Sequence, residues 1–318
     1  MDRRTSQTLL IAMLVAALVL AYLIWTSDRG APPPNGGPVA QAPERVPPGP
    51  AAAAEPSVHP TMGNPSGATD DPADADNYLM RKPYYALAYN NAKGTPNWVS
   101  WCLRESDLGS APRGQFHPDP DLPPTFKHVT PRDYTGSGFD RGHLCPHSDR
   151  SGSPEASNST FAMTNIVPQA PSVNQKAWAD FENHCRDLVR RHDLTLYIAA
   201  GPQGTGGIGT NGPAEAIARG KVTVPAKCWK VVLAIEGGEG SPADIAKVGP
   251  GTRAIAVIMP NEESVGHGWA KYRTSVAEVE ALTGYTFFSN VPADIIGPLK
   301  AKVDDGRVPA GRPRRSGD

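Results

Sequence analysis

The chain has 318 residues, among them 34 prolines and 32 glycines, and a net charge of −1. That length allows one large domain or two small ones, and the prolines crowd into the first third, so the folded part is shorter than the total. A charge near zero excludes a global electrostatic pull toward nucleic acid; such a partner requires a local basic groove.

Residues 1–8 are polar and carry Arg3 and Arg4. Residues 9–26 follow as an uncharged, almost wholly apolar run with Tyr22 and Trp25 near its end. The run is at the short end of what spans a bilayer, and its aromatic residues suit a membrane interface. It is read as a transmembrane signal-anchor, with the arginines keeping residues 1–8 cytoplasmic and the rest of the chain outside the cytoplasm. The alternative is a cleaved signal peptide and a secreted protein, but no good small-x-small site follows the run directly. Residues 27–76 are rich in Pro, Ala and Gly with almost no large apolar side chains, which predicts a disordered linker holding the remainder off the membrane.

A folded domain is expected over residues 77–300. Residues 84–89 and 97–103 read as strands joined by a turn at 90–94. Residues 104–138 read as a long loop, and a loop of that length inside a domain is often functional. Residues 161–168 read as a short strand. The clearest helix covers residues 172–192. Ser172 and Gln175 predict a capping box, and Val173, Ala177, Phe181, Cys185 and Leu188 recur at helical spacing on a core-facing side. On that register Asn174, Trp178, Glu182 and Arg186 are spaced by four and share the neighbouring face. Further strands are expected at 194–200, 222–224, 228–235 and 253–259, then a short helix at 275–282 ended by Thr283-Gly284, with 285–288 packing back. Residues 301–318 read as a basic, flexible tail.

Two patterns lead nowhere. Gly207-Ile208-Gly209-Thr210-Asn211-Gly212 fits a dinucleotide fingerprint, yet no repeated strand–helix pattern surrounds it, and it reads as a surface loop. The four cysteines at 102, 145, 185 and 228 form no C-x-x-C pair. With His143, His147 and His184, Cys145 and Cys185 could be offered to zinc, but their spacings do not converge, and small buried thiols are the expected outcome. Disulfides stay open for a domain outside the cytosol.

The stretch from Phe139 to Arg150 gathers acids, cations and imidazoles around Gly142. Asp140 beside Arg141 allows a charge-assisted hydrogen bond. Gly142 permits unusual backbone angles or a close approach. His143 then stands where a fixed turn would present it, and an imidazole near its own pKa is the usual general base at neutral pH. His147, Asp149 and Arg150 read as loop structure.

Asp140-Arg141-Gly142-His143 resembles the signature of the DNA/RNA non-specific endonucleases. Tyr134-Thr135-Gly136, Thr164-Asn165-Ile166-Val167-Pro168-Gln169, the run from Asn174 to Glu182 with Arg186, Trp229-Lys230-Val231-Val232 and Thr283-Gly284-Tyr285-Thr286-Phe287-Phe288 extend the likeness in order. The resemblance implies an α+β fold with a ββα-metal core on a mixed or antiparallel sheet. It implies that His143 is the general base, that Asn174 is the one direct protein ligand of a Mg²⁺ ion, with Mn²⁺ able to substitute, and that Glu182 holds waters of that ion. Arg141 and Arg186 would contact the phosphate, Arg113 would add a further contact, and Asp140, Asn165 and Gln169 would support the site.

Elementary chemistry agrees with these roles. Phosphodiester hydrolysis needs an activated water, neutralised charge at phosphorus and help for the leaving oxygen. Mg²⁺ keeps most of its waters and needs few protein ligands, and a neutral amide leaves its charge undiminished for the leaving group. An arginine fork suits phosphate, and contacts to phosphate carry no sequence information. The expected function is a Mg²⁺-dependent, sugar-non-specific endonuclease acting on DNA and RNA and leaving 5′-phosphates. Its activity should fall as pH drops through about 6.5, the free imidazole value. The alternative is a membrane-held module that binds or takes up nucleic acid with weak catalysis or none.

Overall fold

The computed structural model describes residues 58–307. The apolar run at 9–26, the linker up to residue 57 and residues 308–318 lie outside them. Among the described residues, no helix is long and apolar enough to cross a membrane.

In chain order the main strands are β1 (Tyr78–Arg81), β2 (Ala86–Asn90), β3 (Thr95–Leu103), β4 (Asp140–His143), β5 (Ile166–Gln169), β6 (Leu194–Gln203), β7 (Lys227–Glu236), β8 (Arg253–Pro260) and β9 (Arg273–Thr274). The helices are α1 (Pro154–Ser159), α2 (Ala179–His192), α3 (Val276–Thr283) and α4 (Ala293–Lys300). Seven strands form one antiparallel sheet in the order β1-β2-β3-β6-β7-β8-β9. β4 and β5 pair separately as an antiparallel ribbon.

Period-two alternation divides the side chains of the sheet between two layers. Leu196, Ile198 and Ala200 of β6 join Phe181, Cys185 and Leu188 of α2 in one core. Tyr197 and Ala199 join Val276 and Val279 of α3 and Ile296 and Leu299 of α4 in the other. Both faces of the central strands are therefore covered, which is why β6 and β7 read as nearly unbroken apolar runs. The capping box at Ser275 and Glu278 starts α3, and Gly284 at φ 75° stops it where the sequence places the stop.

Several expectations are corrected. Residues 58–76 are not disordered linker: Met62 and Ala68 are buried, Ser66 accepts a hydrogen bond from Trp98 Nε1 at 2.8 Å, and Thr69 bridges to Tyr78. Apolar anchors among the small residues allow this segment to cover the second core. The tail does not begin at residue 301, because buried Asp304 takes a two-pronged ion pair from Arg253 at 2.5 and 2.9 Å. The long loop at 104–138 is packed, with Leu122, Phe126, Val129 and Tyr134 buried. The strand expected at 161–168 is a 3₁₀ turn, Met163–Asn165, followed by β5, because the Asn165 side chain bonds across the chain. Ser172 makes no capping box; its hydroxyl donates to Glu263 at 2.9 Å. The helix behind it opens as a π-helical turn, Val173–Trp178, before α2 begins. All four cysteines are free and buried. The glycine-rich fingerprint forms a small hairpin, Gly207–Gly209 with Gly212–Ala214, and no helix follows it.

Candidate active site

β4, β5 and the π turn with α2 together make a ribbon backed by a helix, and each supplies part of the site. Register pairs Asp140 with Gln169 and His143 with Ile166. His143 is therefore held at the end of a strand and not in a turn. Gly142 has no left-handed φ; its role is close approach, since a Cβ there would collide with the Gln169 side chain.

At the start of β4, Asp140 Oδ2 accepts from Asn174 Nδ2 and from Gln175 Nε2, each at 2.8 Å. The Asn174 amide is thereby aimed by a residue three positions before His143, roughly 10 Å of strand away. With its nitrogen committed to Asp140, its oxygen is turned the other way and has no hydrogen-bond partner among the described residues.

At the far end of β4, the His143 ring packs edge-on to Phe161, centroids 4.8 Å apart, and tilted on Phe116 at 5.2 Å. Each of those rings also carries a guanidinium. Arg113 lies over Phe161 at 5.3 Å and Arg141 over Phe116 at 5.4 Å. Arg141 is fixed further by two bonds to the Pro131 carbonyl, 3.1 and 2.8 Å from Nε and Nη2. The enclosed His143 Nε2 has no hydrogen-bond partner, so Nδ1 is the nitrogen that meets solvent. Desolvation first, then the Arg113 and His147 charges, push the imidazole pKa down to about 3. For a base so placed, the acid limb is expected below the 6.5 that a free imidazole implies. For this group, kcat/KM should stay flat well below pH 6.5, while kcat should turn down at higher pH than kcat/KM, because a bound phosphodiester offsets the arginine charge and favours the imidazolium. Initial-rate profiles at limiting and saturating substrate check this; a single shared break at 6.5 contradicts it.

The two α2 residues sit deeper than surface spacing suggests. Glu182 Oε1 lies 3.4 Å from Lys230 Nζ of β7. Desolvation raises the Glu182 pKa, with Lys230 and Arg186 opposing. Arg186 is 8% exposed and donates Nη1 to Asp149 and Nη2 to Asn183, both at 2.7 Å. It does not present a free fork to solvent, as a direct phosphate contact would. Asn165 is fully buried and joins the Cys145 backbone and the Thr160 carbonyl. Gln169 is buried behind Gly142, with both amide atoms lacking a hydrogen-bond partner.

Four residues around the site were given no part in it from the sequence. Phe116 and Phe161 have no signature beyond being aromatic near the motif. Asp149 read as loop structure, yet it holds both Arg186 and Trp101 Nε1, the latter at 3.0 Å. Lys230 did leave a signal: it is the one charge inside the apolar run 228–235.

Oxygen donors of this kind suit a hard divalent cation that keeps most of its waters. Among the described residues, no group of three His, Cys, Asp or Glu side chains stands ready for another metal.

Comparison with known proteins agrees. The family model for DNA/RNA non-specific endonucleases matches residues 62–294. The chain is 45% identical over 251 residues to a nuclease of Nostoc sp., covering 78% of this chain and 87% of that one. It is 35% identical over 218 residues to the mitochondrial nuclease EXOG of Xenopus laevis, covering 66% of this chain and 58% of that relative. A chain in the crystal structure of the EndoG/EndoGI complex shares the fold, with TM-score 0.60, 22% identity, and coverage of 74% of this chain and 92% of that one. The chain belongs to the DNA/RNA non-specific endonuclease family and is a nuclease that hydrolyses phosphodiester bonds.

Proposed function

We propose that this nuclease cuts DNA and RNA internally without sequence preference, with His143 as general base and Asn174 as the direct ligand of Mg²⁺, which Mn²⁺ can replace. The observation that carries the reading is the His143 ring, kept neutral between Phe116 and Phe161 with an arginine beyond each, on the same short strand as the Asp140 that aims Asn174. His143 takes the proton of the attacking water at Nδ1. Arg113 and Arg141 hold the phosphate. Arg186, paired to Asp149, contributes charge from behind the site. When bound, the ion supplies positive charge for the phosphorane-like transition state and the leaving oxygen. Asn174 would hold it, and Glu182 would orient its waters through the carboxylate oxygen not facing Lys230. The apolar run at residues 9–26 would place this domain outside the cytoplasm.

Supercoiled plasmid and a structured RNA should both be degraded with Mg²⁺ present, cease to be cut in EDTA, and be cut again when Mg²⁺ is restored in excess. Internal cuts leave 5′-phosphates, so linearised fragments should be substrates for a ligase. Binding of nucleic acid without cutting under all three conditions defeats the hydrolytic reading and leaves the binding module.

A further inference from the structure

Eight residues separate Asn174 from Glu182. On an unbroken α-helix, at about 100° per residue, they would lie about 80° apart around the axis. Here the first half of the interval is π-helical. Its i→i+5 bonding spreads a turn over more residues, roughly 80° each. The wider turn takes back the drift and returns Asn174 and Glu182 to nearly one face.

Lys230 stands at the junction that maintains this arrangement. It is 1% exposed, and alternation along β7 turns it to the same face as Cys228 and Val232, toward α2. Its Nζ lies 4.2 Å from the Trp178 ring centre, 5.4 Å from that of Trp101 and 3.4 Å from Glu182 Oε1. Trp178 is the last residue of the π turn that holds Asn174. One ammonium therefore grips the end of that turn and the carboxylate one α-helical turn later. A buried cation is costly to desolvate, and an aliphatic side chain would fill the position at lower cost if packing were its only role. Trp101 extends the contact, since its ring faces Lys230 while its Nε1 donates to Asp149, the partner of Arg186.

We propose that Lys230 is a positioning residue for the divalent-cation site, clamping the π turn through Trp178 and the Glu182 carboxylate directly, so that the Asn174 amide and Glu182 face the same hydrated ion. This rests on the reading of Asn174 and Glu182 given above.

The test uses the full chain and Mn²⁺ itself. Free Mn²⁺ is followed by electron paramagnetic resonance without substrate, for wild type, Asn174→Ala, Lys230→Met and Lys230→Arg. In parallel, the half-saturating Mg²⁺ and the KM for plasmid DNA are measured, and circular dichroism melts confirm folding. Lys230→Met should weaken Mn²⁺ binding and raise half-saturating Mg²⁺ by about 10-fold, the usual effect of losing an outer-shell partner, with the KM for DNA within about twofold of wild type. Lys230→Arg keeps the charge at a different reach and should fall between, about threefold weaker. Wild-type Mn²⁺ affinity in Lys230→Met, beside a weakened Asn174→Ala, overturns the role of Lys230 and leaves the cation site standing. Wild-type affinity in Asn174→Ala overturns the site and the inference together. Should Lys230→Met not fold, Lys230→Arg decides: a threefold loss with unchanged KM supports the inference, and wild-type affinity overturns it.

Discussion

His143→Ala is expected to lower kcat for DNA and RNA by about 10²–10⁴-fold, the range that a positioned general base contributes. The loss should appear in kcat with little change in DNA binding, because the phosphate contacts proposed for Arg113 and Arg141 do not pass through the imidazole. Folding should survive: the ring lies between Phe116 and Phe161 at the edge of the smallest core, and it makes no side-chain hydrogen bond. A second signature follows from linkage. The folded-state pKa, about 3, lies below the unfolded value near 6.5, so the unfolded chain binds a proton that the folded chain refuses. The stabilisation from this group is full above pH 6.5 and fades as pH falls toward 3. The alanine variant should therefore lose less stability than wild type between those values. Steady-state kinetics, electrophoretic mobility shifts in EDTA and melts at several pH values provide the readouts. Retention of a tenth of wild-type kcat removes His143 from the role of base.

Asp149→Ala should be strongly destabilising. Asp149 is 1% exposed and holds Arg186 Nη1 through one oxygen and Trp101 Nε1 through the other. Its removal leaves a buried guanidinium and a buried indole N–H without their acceptor. Breaking a buried pair from one side costs about 3–5 kcal/mol. For a domain of this size that lowers Tm by roughly 10 °C. Activity measured well below Tm should also drop, because Arg186 no longer has a fixed place behind the site. The double variant Asp149→Ala, Arg186→Met removes both charges and should recover much of the stability but not the activity. Urea denaturation of the wild type and the two variants separates these effects; a loss under 1 kcal/mol for Asp149→Ala would refute the claim that this pair is structurally needed.

The motif at 140–143, the amphipathic helix and the apolar strands were all legible along the chain, because each is a local pattern. A two- or 3.6-residue period shows which face is buried whatever the face meets. Boundaries failed where side chains overrode local propensity, as at Ser172, whose hydroxyl is taken by Glu263 91 residues away. The early segment at 58–76 failed for a related reason. Its few apolar residues look too sparse to fold, yet the sheet already provides the surface they cover.

Residue type and order alone determined the chemistry on offer: an imidazole, a side-chain amide, carboxylates and arginines in the order that resembles the family's motif. Tertiary structure decided the state of each group. It paired Lys230 with Glu182 across 48 residues and Asp149 with Arg186 across 37. It pushed the His143 pKa down by burial, with the Arg113 and His147 charges adding to it, and it opened the π turn in which Asn174 sits. Charge, hydration and angle depend on what stands within a few ångströms in space, and a linear pattern carries that only for residues close together along the chain.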